Sequence, residues 1–145
     1  MNPYFITSVL FLILAGLVAL DSALTSFQIL PWFNGLRWLR VHLITLGALS
    51  EMIFGVLPAL TAKSVGLKKP PFRWDIWLAL TLGLLILMVG IPLINYAVIV
   101  TGGTLIFTAA LLLIFALRGP APGSSASARP FETGRFFYLA GLSFL

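Results

Sequence analysis

The chain of 145 residues contains no cysteine. Thiolate metal sites, iron–sulfur clusters, thioether-attached haem, disulfides and cysteine nucleophiles are excluded together. Charge is nearly as scarce: 9% of residues are Asp, Glu, Lys or Arg, against roughly a quarter in a water-soluble domain. No dinucleotide-binding glycine fingerprint, phosphate-binding loop or Gly-x-Ser-x-Gly elbow occurs, so nucleotide and acyl-transfer chemistry have no support. What is present is apolar: 60% of residues are hydrophobic and the mean hydropathy is +1.09. Disordered, coiled-coil and collagen-like chains do not carry this much Leu, Ile, Val and Phe without periodic polar residues. The composition is that of an integral membrane protein, and the fold class it predicts is all-α, a polytopic membrane helix bundle.

Charge spacing sets the number of spans. From Ile76 to Leu117 there are 42 residues without a Lys, Arg, Asp or Glu, and one crossing of a bilayer core takes about 20 helical residues. That run therefore holds two spans, broken at Gly90-Ile91-Pro92-Leu93-Ile94-Asn95-Tyr96, where Gly and Pro interrupt the helix and Asn95 turns the chain. The third helix is expected from about Trp74 to Pro92 and the fourth from about Tyr96 to Leu117. Upstream, Asn2 to Leu20 is uncharged and Val41 to Ala62 carries only Glu51; these are the first and second helices. With no Lys or Arg ahead of its apolar run and no small-x-small site before Asp21, the first helix reads as a span rather than a cleaved signal. Residues 1–118 thus form a four-helix transmembrane bundle.

Residues 119–135, rich in Gly, Pro, Ala and Ser, read as a flexible cytoplasmic linker. Residues 136–145 turn apolar again over about 15 Å of helix, too short to cross. They are either an interfacial segment or the start of a truncated fifth helix, and the unfinished apolar run favours the second. Lys63, Lys68, Lys69 and Arg73 lie between the second and third helices, and Arg118, Arg129 and Arg135 follow the fourth, while only Arg37 and Arg40 lie between the first and second. The positive-inside rule then places the larger set, and the N-terminus, in the cytoplasm, as expected for the inner (cytoplasmic) membrane of a prokaryote. Trp32, Trp38, Trp74, Trp77 and Tyr96 fall near the predicted interfaces. The net charge of +5 reflects this topology and contact with membrane lipids; no nucleic-acid partner is expected.

Ionisable residues within spans are costly and mark where function is sought first. Asp21, followed by Ser22, Thr25 and Ser26, reads as a solvated helix end. His42 is the single histidine, about 5 Å inside the outer end of the second helix. Imidazole ligates haem iron, copper and zinc, but a histidine hydrogen-bonded to a neighbouring helix fits the same position. A lone histidine also needs a second ligand, a dimer mate or an open coordination position. Glu51 lies nine residues on, half a turn out of phase on an ideal helix and about 13.5 Å away along it, so the two are not expected to share a ligand. Glu51 aligns with Gly47 and Gly55, a small-residue stripe that admits another helix closely. It is either a proton-relay acid or a neutral interhelical hydrogen bond. Thr101-Gly102-Gly103-Thr104 with Thr108 gives the fourth helix a small face expected to pack on the second helix, and Gly83 and Gly90 give the third a weaker one. Met52 and Met88 read as apolar filler.

The segment Trp38-Leu-Arg-Val-His42-Leu-Ile-Thr-Leu-Gly47-Ala-Leu-Ser-Glu-Met-Ile-Phe-Gly55-Val-Leu57 resembles the histidine-bearing helix of the NnrS family and, more broadly, of the heme-copper oxidase subunit I group. The resemblance covers about twenty of the 145 residues. It implies a haem- or copper-associated membrane protein with His42 as the haem b or copper ligand. Members of that group are far longer and use several histidines, whereas this chain has one.

Two functional expectations follow. One is an integral membrane component of a redox assembly that binds haem b or copper through His42. The other is a non-catalytic accessory subunit stabilising a larger membrane complex, held to other membrane subunits or a homodimer mate by the Gly47, Glu51 and Gly55 stripe and by the small face of the fourth helix. A transporter would need several intramembrane polar residues or an internal repeat, and an enzyme would need nucleophile, base and orienting group together. Neither pattern occurs, so no independent catalytic activity is expected.

Overall fold

A computed structural model describes residues 2–23, 36–64 and 72–118. The predicted linker and terminal apolar segment, residues 119–145, lie outside the described residues, as do Trp32, Lys68 and Lys69. Every regular element among the described residues is helical. They are α1 (Pro3–Ala23), α2 (Leu36–His42), a π-helical segment (Leu43–Leu49), α3 (Ser50–Ser64), α4 (Trp74–Gly90) and α5 (Tyr96–Arg118). The α2, π and α3 segments follow one another without a break and make up the second helix expected from the sequence, here called the composite rod.

Among the described residues three stretches are long and apolar enough to cross a membrane: Pro3–Asp21, Arg37–Lys63 and Tyr96–Leu117. The four complete spans expected from the sequence reduce to these three on length, because α4, although apolar throughout, has 17 residues. Helix α4 stops at Gly90, two residues before the predicted end. The chain then passes through a turn with main-chain bonds Ile94 N–H to Ile91 C=O (3.0 Å) and Asn95 N–H to Gly90 C=O (3.1 Å), the paired pattern of a Schellman C-cap. Asn95 does more than turn the chain: its Oδ1 accepts the Val98 N–H at 3.3 Å and so caps the start of α5. The left-handed position of the motif is filled by Ile94, where glycine is usual.

The helices pair into two antiparallel hairpins. In the first, α1 lies along the composite rod, and in the second, α4 packs on α5. Glycines set the closeness of the second pair. A Cβ on Gly83 would fall 2.8 Å from Ile106 Cγ1, one on Gly90 2.8 Å from Val98 Cγ1, and one on Gly102 2.8 Å from the Leu87 main-chain nitrogen. Of the small face expected on the fourth helix only Gly102 meets a neighbour, and that neighbour is α4, which overturns the expectation that the face packs on the second helix. Gly103 meets nothing, and Thr101, Thr104 and Thr108 are exposed, each hydroxyl donating to a carbonyl on its own helix. The physical reason is connectivity: a short turn after α4 makes α5 its antiparallel neighbour, and the glycines on both helices fall in register there.

Ile76, Leu80, Leu84, Ala109 and Leu113 are buried between the hairpins and within the second one, with Phe11, Ala15, Leu43 and Phe54 buried in the first. Met88 belongs to the same core, as expected of filler, whereas Met52 is exposed. Large apolar side chains such as Leu10, Leu17, Phe107 and Phe115 point away from the bundle. In water such a surface would be untenable, but in lipid tails it costs nothing.

Candidate functional site

Of the four site residues singled out from sequence, three come together. Gly47 and Gly55 both face α1: a Cβ on Gly47 would fall 2.7 Å from Phe11 Cγ, and one on Gly55 2.7 Å from Tyr4 Cβ. The stripe is occupied by α1 of the same chain and not by another subunit or a dimer mate, and it lets α1 approach the rod closely enough for the Ser8 hydroxyl to donate to the Ala48 carbonyl at 2.9 Å. Asn2 Nδ2 reaches the Gly55 carbonyl at 3.4 Å, closing the end of the same interface.

Between the two glycines sits Glu51, with 0% of its surface exposed. Its Oε1 accepts a hydrogen bond from the Thr81 hydroxyl of α4 at 2.7 Å, so the carboxyl reaches across to the second hairpin. Its Oε2 is buried and has no hydrogen-bond partner. The Thr7 hydroxyl points instead at the Pro3 and Tyr4 carbonyls, at 3.0 and 3.1 Å. It accepts from Trp77 Nε1 of α4 at 3.4 Å, a second polar link between the hairpins.

Thr81 behaves differently from every other described threonine. Thr7, Thr45, Thr61, Thr101, Thr104 and Thr108 each donate to a carbonyl three or four residues back on their own helix, the low-cost arrangement for a hydroxyl in an apolar setting. The Thr81 hydroxyl leaves its helix for Glu51. Sequence reasoning missed Thr81, Thr7, Ser8, Tyr4 and Trp77 as parts of this site. The signal that could have found Thr81 and Ser8 was a single hydroxyl in an otherwise apolar run, at a depth similar to Glu51.

On the side of Glu51 toward the start of α1, aromatic rings form a continuous edge-to-face series. Tyr4 meets Phe72 (centroids 5.5 Å), Phe72 meets Trp74 (4.9 Å), and Trp74 meets Trp77 (5.5 Å). Such contacts combine large apolar area with favourable ring electrostatics. Beyond them Arg73 is ion-paired with Asp75 at the exposed end of α4. The guanidinium is thereby engaged away from Glu51.

His42 lies apart from this cluster, half-buried at the junction of α2 and the π segment. Its ring stacks on Trp38 (centroids 4.2 Å, 27° between planes), and Nδ1 is 2.8 Å from the Trp38 carbonyl oxygen. A carbonyl only accepts, so Nδ1 carries the hydrogen, which in the neutral ring leaves the Nε2 lone pair free. The half-turn phase expected between His42 and Glu51 assumed an ideal α-helix and does not apply, because seven residues of wider π-helix stand between them. No group of three or more His, Asp or Glu side chains able to hold a metal ion occurs among the described residues. Asp21, expected as a solvated helix end, lies two residues before the end of α1 and is half-buried.

No protein-family model, curated protein or solved structure matches this chain.

Proposed function

We propose that the chain is a polytopic membrane subunit without catalysis of its own, stabilising a larger assembly in the cytoplasmic membrane of a prokaryote. The observation that carries this reading is how its few polar side chains are spent. Ser8, Thr81 and Trp77, together with the glycines at 47, 55, 83 and 102, all serve helix–helix contacts within the chain, and no nucleophile–base pair accompanies them among the described residues. Four crossings fit this role. The helical bonding of α4 continues past Gly90 through Ile91 N–H to Leu87 C=O and Leu93 N–H to Val89 C=O, which brings the helical stretch from Trp74 to Leu93 to about 30 Å, the thickness of a bilayer core. Extraction of the native membrane in mild detergent, followed by native mass spectrometry, tests the reading. A complex containing this chain in fixed stoichiometry with larger membrane subunits supports it, and a monodisperse free chain or homodimer contradicts it.

One observation favours a second reading, a redox component that binds haem b or copper at His42. A histidine whose Nδ1–H is held by a main-chain carbonyl presents Nε2 in the tautomer that metal ligation uses, and the resemblance of the Trp38 to Leu57 segment points the same way. An absorption spectrum and metal analysis of the purified complex decide it. A Soret band or stoichiometric copper that disappears in His42→Ala supports the ligand role, and neither being present in the unmutated complex removes it.

A further inference from the structure

We propose that Glu51 is an occluded proton-binding site inside the membrane, a neutral carboxylic acid whose proton exchanges only when the two helical hairpins part. This goes beyond the subunit reading and does not depend on it. Three geometric observations carry it. The carboxyl is wholly buried, its second oxygen is unpartnered, and its one hydrogen bond crosses from the first hairpin to the second.

Among the described residues no positive charge faces the carboxyl from any element packed around it. Helix α1 contributes Tyr4, Thr7 and Ser8, helix α4 contributes Thr81 and Trp77, and the rod contributes the two glycines; Tyr4 is the one titratable side chain nearby. Arg73, the cation at that end of α4, is paired with Asp75. An ionised Glu51 would thus be a buried charge with only the Thr81 and Thr7 hydroxyls as donors and no counter-ion among the described residues, which costs far more than one unmatched oxygen on a neutral acid. The acid form is therefore the resting form.

Access is closed on both sides along the rod. The Tyr4, Phe72, Trp74 and Trp77 rings cover one side, and Phe11 against Gly47 covers the other. A proton enters or leaves only if the Thr81–Glu51 and Trp77–Thr7 bonds break. The chain thereby couples a proton to the separation of its halves, the two-state element a proton-driven partner would need.

Infrared spectroscopy of the protein in lipid vesicles at neutral pH reads the site directly. The chain has two glutamates, Glu51 and Glu132, so isotopically labelled glutamate in a Glu132→Gln background isolates Glu51 without altering it. The expected spectrum shows the carbonyl stretch of a protonated acid that persists in heavy water, loses its isotope-sensitive band in Glu51→Gln, and shifts in Thr81→Val as one hydrogen bond is lost. Faster deuterium exchange in a Trp77→Phe, Thr81→Val variant, where both links between the hairpins are gone, is the second expected result. A carboxylate signal for Glu51 at neutral pH, or an acid band that exchanges at once in the unmutated chain, overturns the proposal.

Discussion

Ile94 holds a φ of 51° with 87% of its surface exposed. A β-branched side chain in the left-handed region crowds the main chain at a cost of about 1–2 kcal/mol, and no packing offsets it here. Ile94→Gly is expected to stabilise the α4–α5 hairpin by about 1 kcal/mol, raising the midpoint of unfolding in mixed micelles; an unchanged or lowered midpoint would contradict the strain. This position could not be recognised from the sequence, since isoleucine gives no signal of left-handed backbone. Glu51 was legible because an acid in an apolar run is conspicuous, and its glycine neighbours marked the face. Its partner Thr81 was not, because a threonine in a membrane helix ordinarily bonds its own backbone, as six other threonines here do. His42 was equally conspicuous, but its stacking on Trp38 and its tautomer depend on side-chain geometry that spacing alone does not supply.

At the scale of elements, adjacent glycines on α5 have opposite roles. A Cβ on Gly102 would press within 2.8–2.9 Å of main-chain atoms of Leu87 and Gly83, which cannot swing aside, whereas one on Gly103 would meet open space. Gly102→Ala is therefore expected to destabilise the hairpin by about 1–3 kcal/mol through overpacking. Gly103→Ala is expected to be neutral or to gain up to about 1 kcal/mol from helix propensity. Equal effects of the two in the same unfolding assay would mean that α4 and α5 do not meet along this face. The uncharged run from Ile76 to Leu117 revealed both helices and their break. Which face met which helix stayed hidden, since Gly102 and Gly103 are indistinguishable until a neighbour is in place. The π segment was hidden as well, since Leu43–Leu49 reads as ordinary helix by hydropathy.

At the scale of the whole molecule, the proposed function has the two hairpins each cross the bilayer and return, although α4 is shorter than the three stretches of membrane-crossing length. Lys63 and Arg73 are exposed at the same end of the bundle as the start of α1, because Tyr4 packs on Gly55 and Phe72. Arg37, also exposed, begins the rod at the other end, and Ile94 lies at the turn joining α4 to α5. Lys63 and Arg73 thus share an end with the start of α1, the end that the proposed orientation puts in the cytoplasm. The absence of native cysteine makes this testable without background, because single cysteines can be placed at Arg37, Lys63, Arg73 and Ile94 and labelled by a membrane-impermeant maleimide from one side of sealed vesicles. The account predicts that positions 63 and 73 react from one side and positions 37 and 94 only from the other. Reaction of positions 63, 73 and 94 from the same side would show that α4 does not cross, and would contradict the paired-hairpin membrane architecture.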